Sequence, residues 1–278
     1  MQLTQAILPV AGLGTRFLPW TKVVPKELLP IGNQPIIALL VDECLSVGIK
    51  DICFVISRGK EAIPQYFYEM PELEKELATR GKLHMLEELS RYGTVNFHVA
   101  YQEEMKGDGH ALLQAREWVE SEMVAILFGD DLIVGKQNGL QQLTAAMRDT
   151  TRGGKAAMLC LQEIERSLIH KYGIVELDKT WTHKGKTSDV RRVKGLVEKP
   201  KPEDAPSNLG IVGKYLIPKS LFASLEKIEK GTKDGEVRLI DALIAERKHL
   251  EIYGCVFTGE RLDTGTPEGY KHAVKVLG

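Results

Sequence analysis

Near its start the chain carries a segment suited to binding phosphate. Ala11-Gly12-Leu13-Gly14-Thr15-Arg16 follows an apolar run over residues 5–10, and Pro25-Lys26-Glu27-Leu28-Leu29-Pro30 comes shortly after it. Two glycines let the backbone approach a phosphate chain and aim N–H groups at it. Arg16 adds a planar fork for phosphate oxygens and Lys26 a mobile point charge, so together they can neutralise a leaving pyrophosphate. The segment is no dinucleotide fingerprint, because Phe17 stands where the third glycine belongs. It is no Walker A loop either, since no Gly-Lys-Ser/Thr follows. A tight turn with a surface Arg and Lys fits the same residues, and the glycine pair alone does not separate the two readings.

These groups need elements to hold them. Residues 5–10, 51–57, 94–101 and 123–128 have the composition of strands. Residues 35–47 are apolar at helical spacing, with proline in the first turn and a stop at Gly48. A charged, leucine-spaced surface helix is expected over 72–91 and another helix over 109–119. Strands alternating with helices predict an α/β fold whose sheet is mostly parallel. In such sheets ligands collect beyond the carboxyl ends of the strands. The glycine loop after Val10, Gln102 after Tyr101, and Asp130 after Phe128 all fall there. Beyond about residue 150 the texture becomes strand-rich: 156–161, 173–177, 190–197 and 209–217, with few long helices between them. A proline-rich connection (199–207), a helix (237–247), a strand (250–257) and a terminal helix (267–276) complete the chain. No repeat or flexible linker is visible, so residues 1–278 are expected to form one domain with halves meeting near 150.

Composition bounds the function. At 278 residues the chain can bury a large core, and 43% hydrophobic with 27% charged residues excludes intrinsic disorder. With 37 basic and 38 acidic residues the net charge is −1. No global field therefore favours nucleic acid or an anionic membrane, and any bound phosphate must be held by local groups. Of the four cysteines, Cys44, Cys53 and Cys160 lie in apolar runs as buried thiols would, and with Cys255 they form no CxxC pair, which argues against a zinc site or disulfide framework. The first residues have no basic leader, and no apolar run approaches a membrane span, so a reducing cytoplasm is expected.

The string AGLGTRFLP…PKELLP resembles the signature of sugar-nucleotide pyrophosphorylases, and more closely that of the bacterial UTP–glucose-1-phosphate uridylyltransferases. Further segments match in order: Lys106 to Ala111 (KGDGHA), Tyr172-Gly173-Ile174-Val175, Val197-Glu198-Lys199-Pro200, Ala205 to Leu209 (APSNL) continuing into Ile211 to Tyr215 (IVGKY), and Leu262-Asp263-Thr264-Gly265. The resemblance covers nearly the whole chain. It implies a Rossmann-like α/β fold: a mixed, mainly parallel sheet flanked by helices, with an appended strand-rich lobe that binds the sugar. It implies UTP and glucose 1-phosphate as substrates, magnesium as cofactor, and a homo-oligomer, dimer or tetramer. Carried over by position, Ala11, Gly12, Gly14 and Thr15 line the nucleotide, Arg16 and Lys26 hold its phosphates, and Gln102 with Gly107 reads the pyrimidine edge. A glutamine amide offers both donor and acceptor to that edge. Asp130 and Asp263 would hold the magnesium, and Gly173, Glu198 and Lys199 the sugar phosphate. The mechanism so implied is direct attack by the sugar phosphate, which needs no protein base, so His110 is taken as structural; Asp131, where the family tolerates an apolar residue, is taken as a solvated loop residue. A thymidylyltransferase using dTTP is the same-class alternative, and a non-catalytic nucleotide-sugar-binding protein the other.

Three departures from the family pattern stand out. The usual Gly-Leu-Gly-His is Gly107-Asp108-Gly109-His110. The usual Glu-Ile-Gln-Leu-Thr-Asp becomes Glu236-Val237-Arg238-Leu239-Ile240-Asp241. Asp-Cys-Gly becomes Asp263-Thr264-Gly265, a form closer to the thymidylyltransferases. They bear on base and sugar identity and leave the phosphate and metal set intact.

Overall fold

The first strand, β1 (Gln5–Pro9), points its side chains alternately into two apolar cores, Ala6 and Leu8 into one and Ile7 into the other. A strand buried on both faces belongs inside a sheet covered on both sides. The computed structural model describes residues 3–151, 156–181, 189–232 and 235–278. A small hairpin, β2 (Pro30–Ile31) and β3 (Gln34–Pro35), leads into α1 (Ile36–Leu45) and β4 (Asp51–Ile56). The short α2 (Ala62–Gln65), α3 (Pro71–Thr79), α4 (Leu83–Leu89), β5 (Asn96–Tyr101), α5 (Asp108–Gln114) and β6 (Met123–Leu127) follow. Next come β7 (Asp131–Val134), α6 (Gly139–Thr151), β8 (Ala156–Glu163), β9 (Gly173–Leu177), β10 (Asp189–Glu198) and β11 (Leu209–Pro218). The chain ends with α7 (Leu221–Gly231), α8 (Leu239–Glu246), β12 (Glu251–Val256), β13 (Glu260–Asp263) and α9 (Pro267–Leu277).

The main sheet runs β5-β4-β1-β6-β11-β8-β12-β10-β9. Its first four strands are mutually parallel, so their carboxyl ends share one edge. From β1 the chain moves outward to β4 and β5, then returns to place β6 on the other side of β1. That reversal opens a crevice between the ends of β1 and β6, where open α/β sheets bind ligands. The strand-rich second half extends the same sheet: β11 pairs antiparallel with β6 from Lys214↔Leu127 to Pro218↔Met123. Beyond β11 the pairing is antiparallel except for β8 with β12. No helix among the described residues is long and apolar enough to cross a membrane.

Three local differences from the sequence reading have physical causes. The helix expected over 72–91 is two helices, because Gly81 adopts a left-handed φ of 68°. Lys82 N–H donates to Leu77 O and Gly81 N–H to Ala78 O, closing α3 in a Schellman motif. The helices α6 and α7 were not anticipated; each buries apolar residues at helical spacing, such as Leu140, Leu143 and Met147 of α6, within an otherwise polar sequence. Asp131 is not in a solvated loop. It begins β7, which pairs with β13, and its carboxylate is buried against Arg261 and the Gly213 N–H.

Candidate active site

The end of β1 feeds a cleft of about 490 Å³, bounded by the glycine loop, Lys26, Gln102, Gly107, Asp108 and the Gly129–Asp130 turn. Of the residues singled out by sequence, Ala11, Gly12, Gly14 and Thr15 face it, as do Lys26, Gln102, Gly107 and Asp130. The loop is held from beneath: Thr21 Oγ1 donates to Gly14 O at 2.8 Å, and Phe17 N–H to Gly14 O at 2.9 Å. A Cβ on Gly12 would meet no protein atom within 4 Å, so the space beside it belongs to the cleft. Lys26 sits in a 3-10 turn following Pro25, and its Nζ donates to Asp130 Oδ2 at 2.7 Å. Burial opposes the charge on Lys26, but Asp130, Glu27 and Asp263 outweigh it and raise its pKa. Burial likewise opposes the charge on Asp130, yet Lys26, with Arg261 and Arg16, more than offsets this and holds the carboxyl below its usual range.

On the opposite wall, Gln102 continues from β5 and is buried. Its backbone N–H donates to Ile56 O at 2.8 Å, and its Nε2 donates to Gly107 O at 2.9 Å. The buried His110 lies 3.2 Å from the same amide through Nδ1, which braces the glutamine and agrees with a structural role. Gly107 has a φ of 97°, and a Cβ there would lie 2.6 Å from Val237 O, so only glycine fits against that strand of backbone. Asp108 faces the cleft, but its Oδ1 accepts the Leu239 N–H at 2.9 Å, at the start of α8. Burial pushes its carboxyl above the usual range against the pull of the Leu239 and Gly109 N–H groups, and it feels Glu198 and Lys199 as well. Arg238, from the second departure, pairs with Glu236 and lies 3.6 Å from Asp241. Both changes thus serve the α8 start.

Asp263 stands outside the cleft lining yet close to Asp130. A Cβ built on Gly265 would sit 2.9 Å from Asp130 Oδ2 and 3.0 Å from Asp263 Oδ1, so both carboxylates flank Gly265, whose N–H donates to Asp263 Oδ1 at 2.9 Å. Thr264 clamps Asp130 from behind, its N–H and hydroxyl donating to Asp130 O at 2.8 and 3.1 Å. The threonine of Asp263-Thr264-Gly265 is therefore spent on the acidic turn rather than on the base. Arg16 is exposed and reaches Gly265 O through Nη1 at 3.3 Å. Two neighbouring carboxylates beside a phosphate-suited loop fit magnesium, which takes one or two carboxylates and completes its shell with phosphate oxygens and water. Among the described residues no group of three or more His, Cys, Asp or Glu side chains could hold a metal ion, so the fit relies on those substrate oxygens.

Gly173, Glu198 and Lys199 form a second cluster, where β9 and β10 pair Gly173 with Glu198. A Cβ on Gly173 would lie 2.6 Å from Ile240 Cδ1 and 3.2 Å from Glu198 Oε2, so its smallness keeps α8 and Glu198 in place. Lys199 has a φ of 46°, the one left-handed residue other than glycine among those described. Such strain persists only where the surroundings enforce it, and it concentrates at functional sites. Its N–H donates to Tyr172 O at 3.1 Å, while its exposed Nζ lies 3.1 Å from Glu198 Oε1.

Sequence reasoning missed two supporting cations. Lys60 is buried just past the end of β4, donating to Val10 O at 2.7 Å and to the buried Glu27 Oε2 at 2.9 Å. It ties the end of β1 to the turn that carries Lys26, and burial pulls its pKa below the usual lysine range despite Glu27. Its place beyond the carboxyl end of a parallel strand was the available signal. Arg261 had none, because its partner Asp131 becomes its neighbour only through the β7–β13 pairing.

Comparison with known proteins agrees with this geometry. The family model for nucleotidyl transferases matches residues 5–277. The UTP–glucose-1-phosphate uridylyltransferase of Bacillus subtilis is 37% identical over 272 residues, covering 97% of this chain and 89% of the relative. A UTP-bound UGPase from Acinetobacter baumannii superposes with a TM-score of 0.87 at 31% identity, over 99% of this chain and 93% of that one. A UDP-glucose pyrophosphorylase complexed with UDP-glucose gives a TM-score of 0.82 at 31% identity, over 99% and 98%. With the fold, the cleft and these likenesses in agreement, the chain belongs to the nucleotidyl transferase family.

Proposed function

We propose that the chain transfers the uridylyl group of UTP to glucose 1-phosphate, releasing pyrophosphate and forming UDP-glucose. The observation that carries this reading is the Lys26–Asp130 pair beside the glycine loop, with Asp263 close by on the other side of Gly265. The names of the relatives, and the UTP and UDP-glucose bound in two of the similar structures, supply the substrates.

In this reading the backbone of Ala11, Gly12, Gly14 and Thr15 lines the triphosphate, with Arg16 and Lys26 on its charges. Gln102 and Gly107 meet the uracil edge, and the Gln102–His110 contact fixes the amide before the base arrives. Gly173 and Glu198 receive the glucose, whose hydroxyls can donate to the Glu198 carboxylate, and Lys199 holds the sugar phosphate. Asp130 and Asp263 would hold a magnesium ion, which neutralises charge at the α-phosphate when bound. The sugar phosphate is ionised at neutral pH and needs no base, so the residues act by placing its oxygen in line with the α-phosphorus and stabilising the departing pyrophosphate. Four buried, unbonded cysteines suit the cytoplasm. A homo-oligomer follows from the family resemblance. Pyrophosphate release measured over a grid of nucleoside triphosphates and sugar 1-phosphates tests the assignment: UTP with glucose 1-phosphate should give the highest turnover, and no release with any pair would leave a binding protein instead.

A further inference from the structure

The pairing of β7 with β13 sets Asp131 directly opposite Asp263. Opposed residues of an antiparallel pair share a face, and two carboxylates there repel each other. Arg261 lies two residues before Asp263 on the same face and fills the gap. Its Nε donates to Asp131 Oδ1, and its Nη2 lies 3.6 Å from Asp263 Oδ2. The remaining Nη1 turns the other way: it donates to the Tyr172 hydroxyl at 3.0 Å and approaches Gln162 Oε1 at 3.5 Å. The guanidinium carbon also stands 5.4 Å from the centre of the Tyr172 ring.

Tyr172 is more than a convenient acceptor. It immediately precedes Gly173, and its carbonyl accepts the N–H of the strained Lys199. One side chain, only 11% exposed, therefore joins the acidic turn to the segment carrying Gly173 and Lys199. A rigid planar fork can serve three directions at once, whereas a lysine ammonium serves as a single point.

Resting on the functional reading above, we propose that Arg261 is a positioning residue for the sugar phosphate: it sets the spacing between the Asp130–Asp263 turn and the Tyr172–Lys199 segment. It acts through Tyr172 and the acidic turn rather than on a substrate. Its loss shifts the sugar-phosphate end against the acidic pair while the nucleotide cleft keeps its own supports, Lys60–Glu27 and Gln102–His110.

The test compares Arg261→Lys, Tyr172→Phe and the double variant with wild type. Arg261→Lys keeps the charge beside Asp131 but cannot also reach Tyr172. It should raise the KM for glucose 1-phosphate about tenfold, the scale of one lost charged hydrogen bond, and leave that for UTP within about twofold. Tyr172→Phe should act in the same direction at about threefold, and the double variant should be no worse than Arg261→Lys, as expected of two ends of one contact. Calorimetry gives a second readout without turnover: Arg261→Lys should weaken UDP-glucose binding about tenfold more than UDP binding. A merely structural arginine would lower the melting temperature and leave these ratios at wild-type values; that result, or equal losses for both substrates, or additive effects, would overturn the inference. Tyr172→Phe keeps the test decisive if Arg261→Lys does not fold. A wild-type protein that neither bound UDP-glucose nor used UTP with glucose 1-phosphate would overturn the functional reading, and this inference with it.

Discussion

The two ends of the candidate site are built differently. At the nucleotide end, apart from the exposed Arg16, the polar groups are already paired and sheltered: Lys26 with Asp130 at 2.7 Å, Lys60 with Glu27 at 2.9 Å, and Gln102 against His110. The loops there leave parallel strands whose positions the sheet fixes. At the sugar-phosphate end, Lys199 has 58% of its side chain exposed and pairs only loosely with its sequence neighbour Glu198. Exposed pairs of that kind contribute little, about 0–1 kcal/mol. The nucleotide end is thus prepared before ligand arrives, and the sugar end has order in its backbone, through Lys199 and Gly173, more than in its charges.

That contrast can be broken from the supporting layer first. Lys60→Met leaves Glu27 buried without its cation, and breaking a buried pair from one side costs about 3–5 kcal/mol. A large drop in melting temperature and a raised KM for UTP are expected, with the KM for glucose 1-phosphate little changed, and Lys60→Met with Glu27→Gln should recover part of the stability. If Lys60→Met were as stable as wild type, the nucleotide end would not be the preorganised one. Asp130→Ala comes next. It should cut turnover by about a hundred- to a thousandfold, the scale of removing one preorganised electrostatic contact, with the fold retained but less stable because Lys26 loses its partner. Chelation of divalent ions should likewise stop the wild-type enzyme, and near-normal turnover of Asp130→Ala with magnesium would remove the metal assignment. The smallest effect belongs to the exposed end: Lys199→Ala should lower kcat/KM by roughly ten- to a hundredfold through the KM for the sugar phosphate. An effect on UTP instead would place Lys199 in the other subsite.

The same contrast governs what the sequence could disclose. The nucleotide end was legible because its groups follow strands in chain order: Gly12 after β1, Gln102 after β5 and Asp130 after β6. The sugar end lacked such local logic, and Gly173, Glu198 and Lys199 were found only through resemblance, although β9 and β10 bring them together. Asp131 and Arg261 were misjudged or missed for the same reason, since 130 residues separate them and only the β7–β13 register joins them. The break of the expected 72–91 helix at Gly81 was readable in hindsight from the Arg80-Gly81-Lys82 sequence, where glycine can take the left-handed closing position. The unforeseen α6 was obscured by its glutamines, even though its buried leucines keep helical spacing.

Uridylyl transfer from UTP stands or falls on base choice. In the proposed reading Gln102 meets an edge that uracil and thymine share, so it would not separate UTP from dTTP. Discrimination must come from the ribose 2′-hydroxyl and from room at the base C5 position. A site that hydrogen-bonds a hydroxyl rejects the deoxy analogue strongly, whereas excluding a methyl group is worth only about 1–3 kcal/mol. The measurement is kcat/KM for UTP, dUTP and dTTP with glucose 1-phosphate held saturating. UTP should be used best, dUTP markedly less well and dTTP least; equal or better use of dTTP would contradict the uridylyl assignment and make the enzyme a thymidylyltransferase.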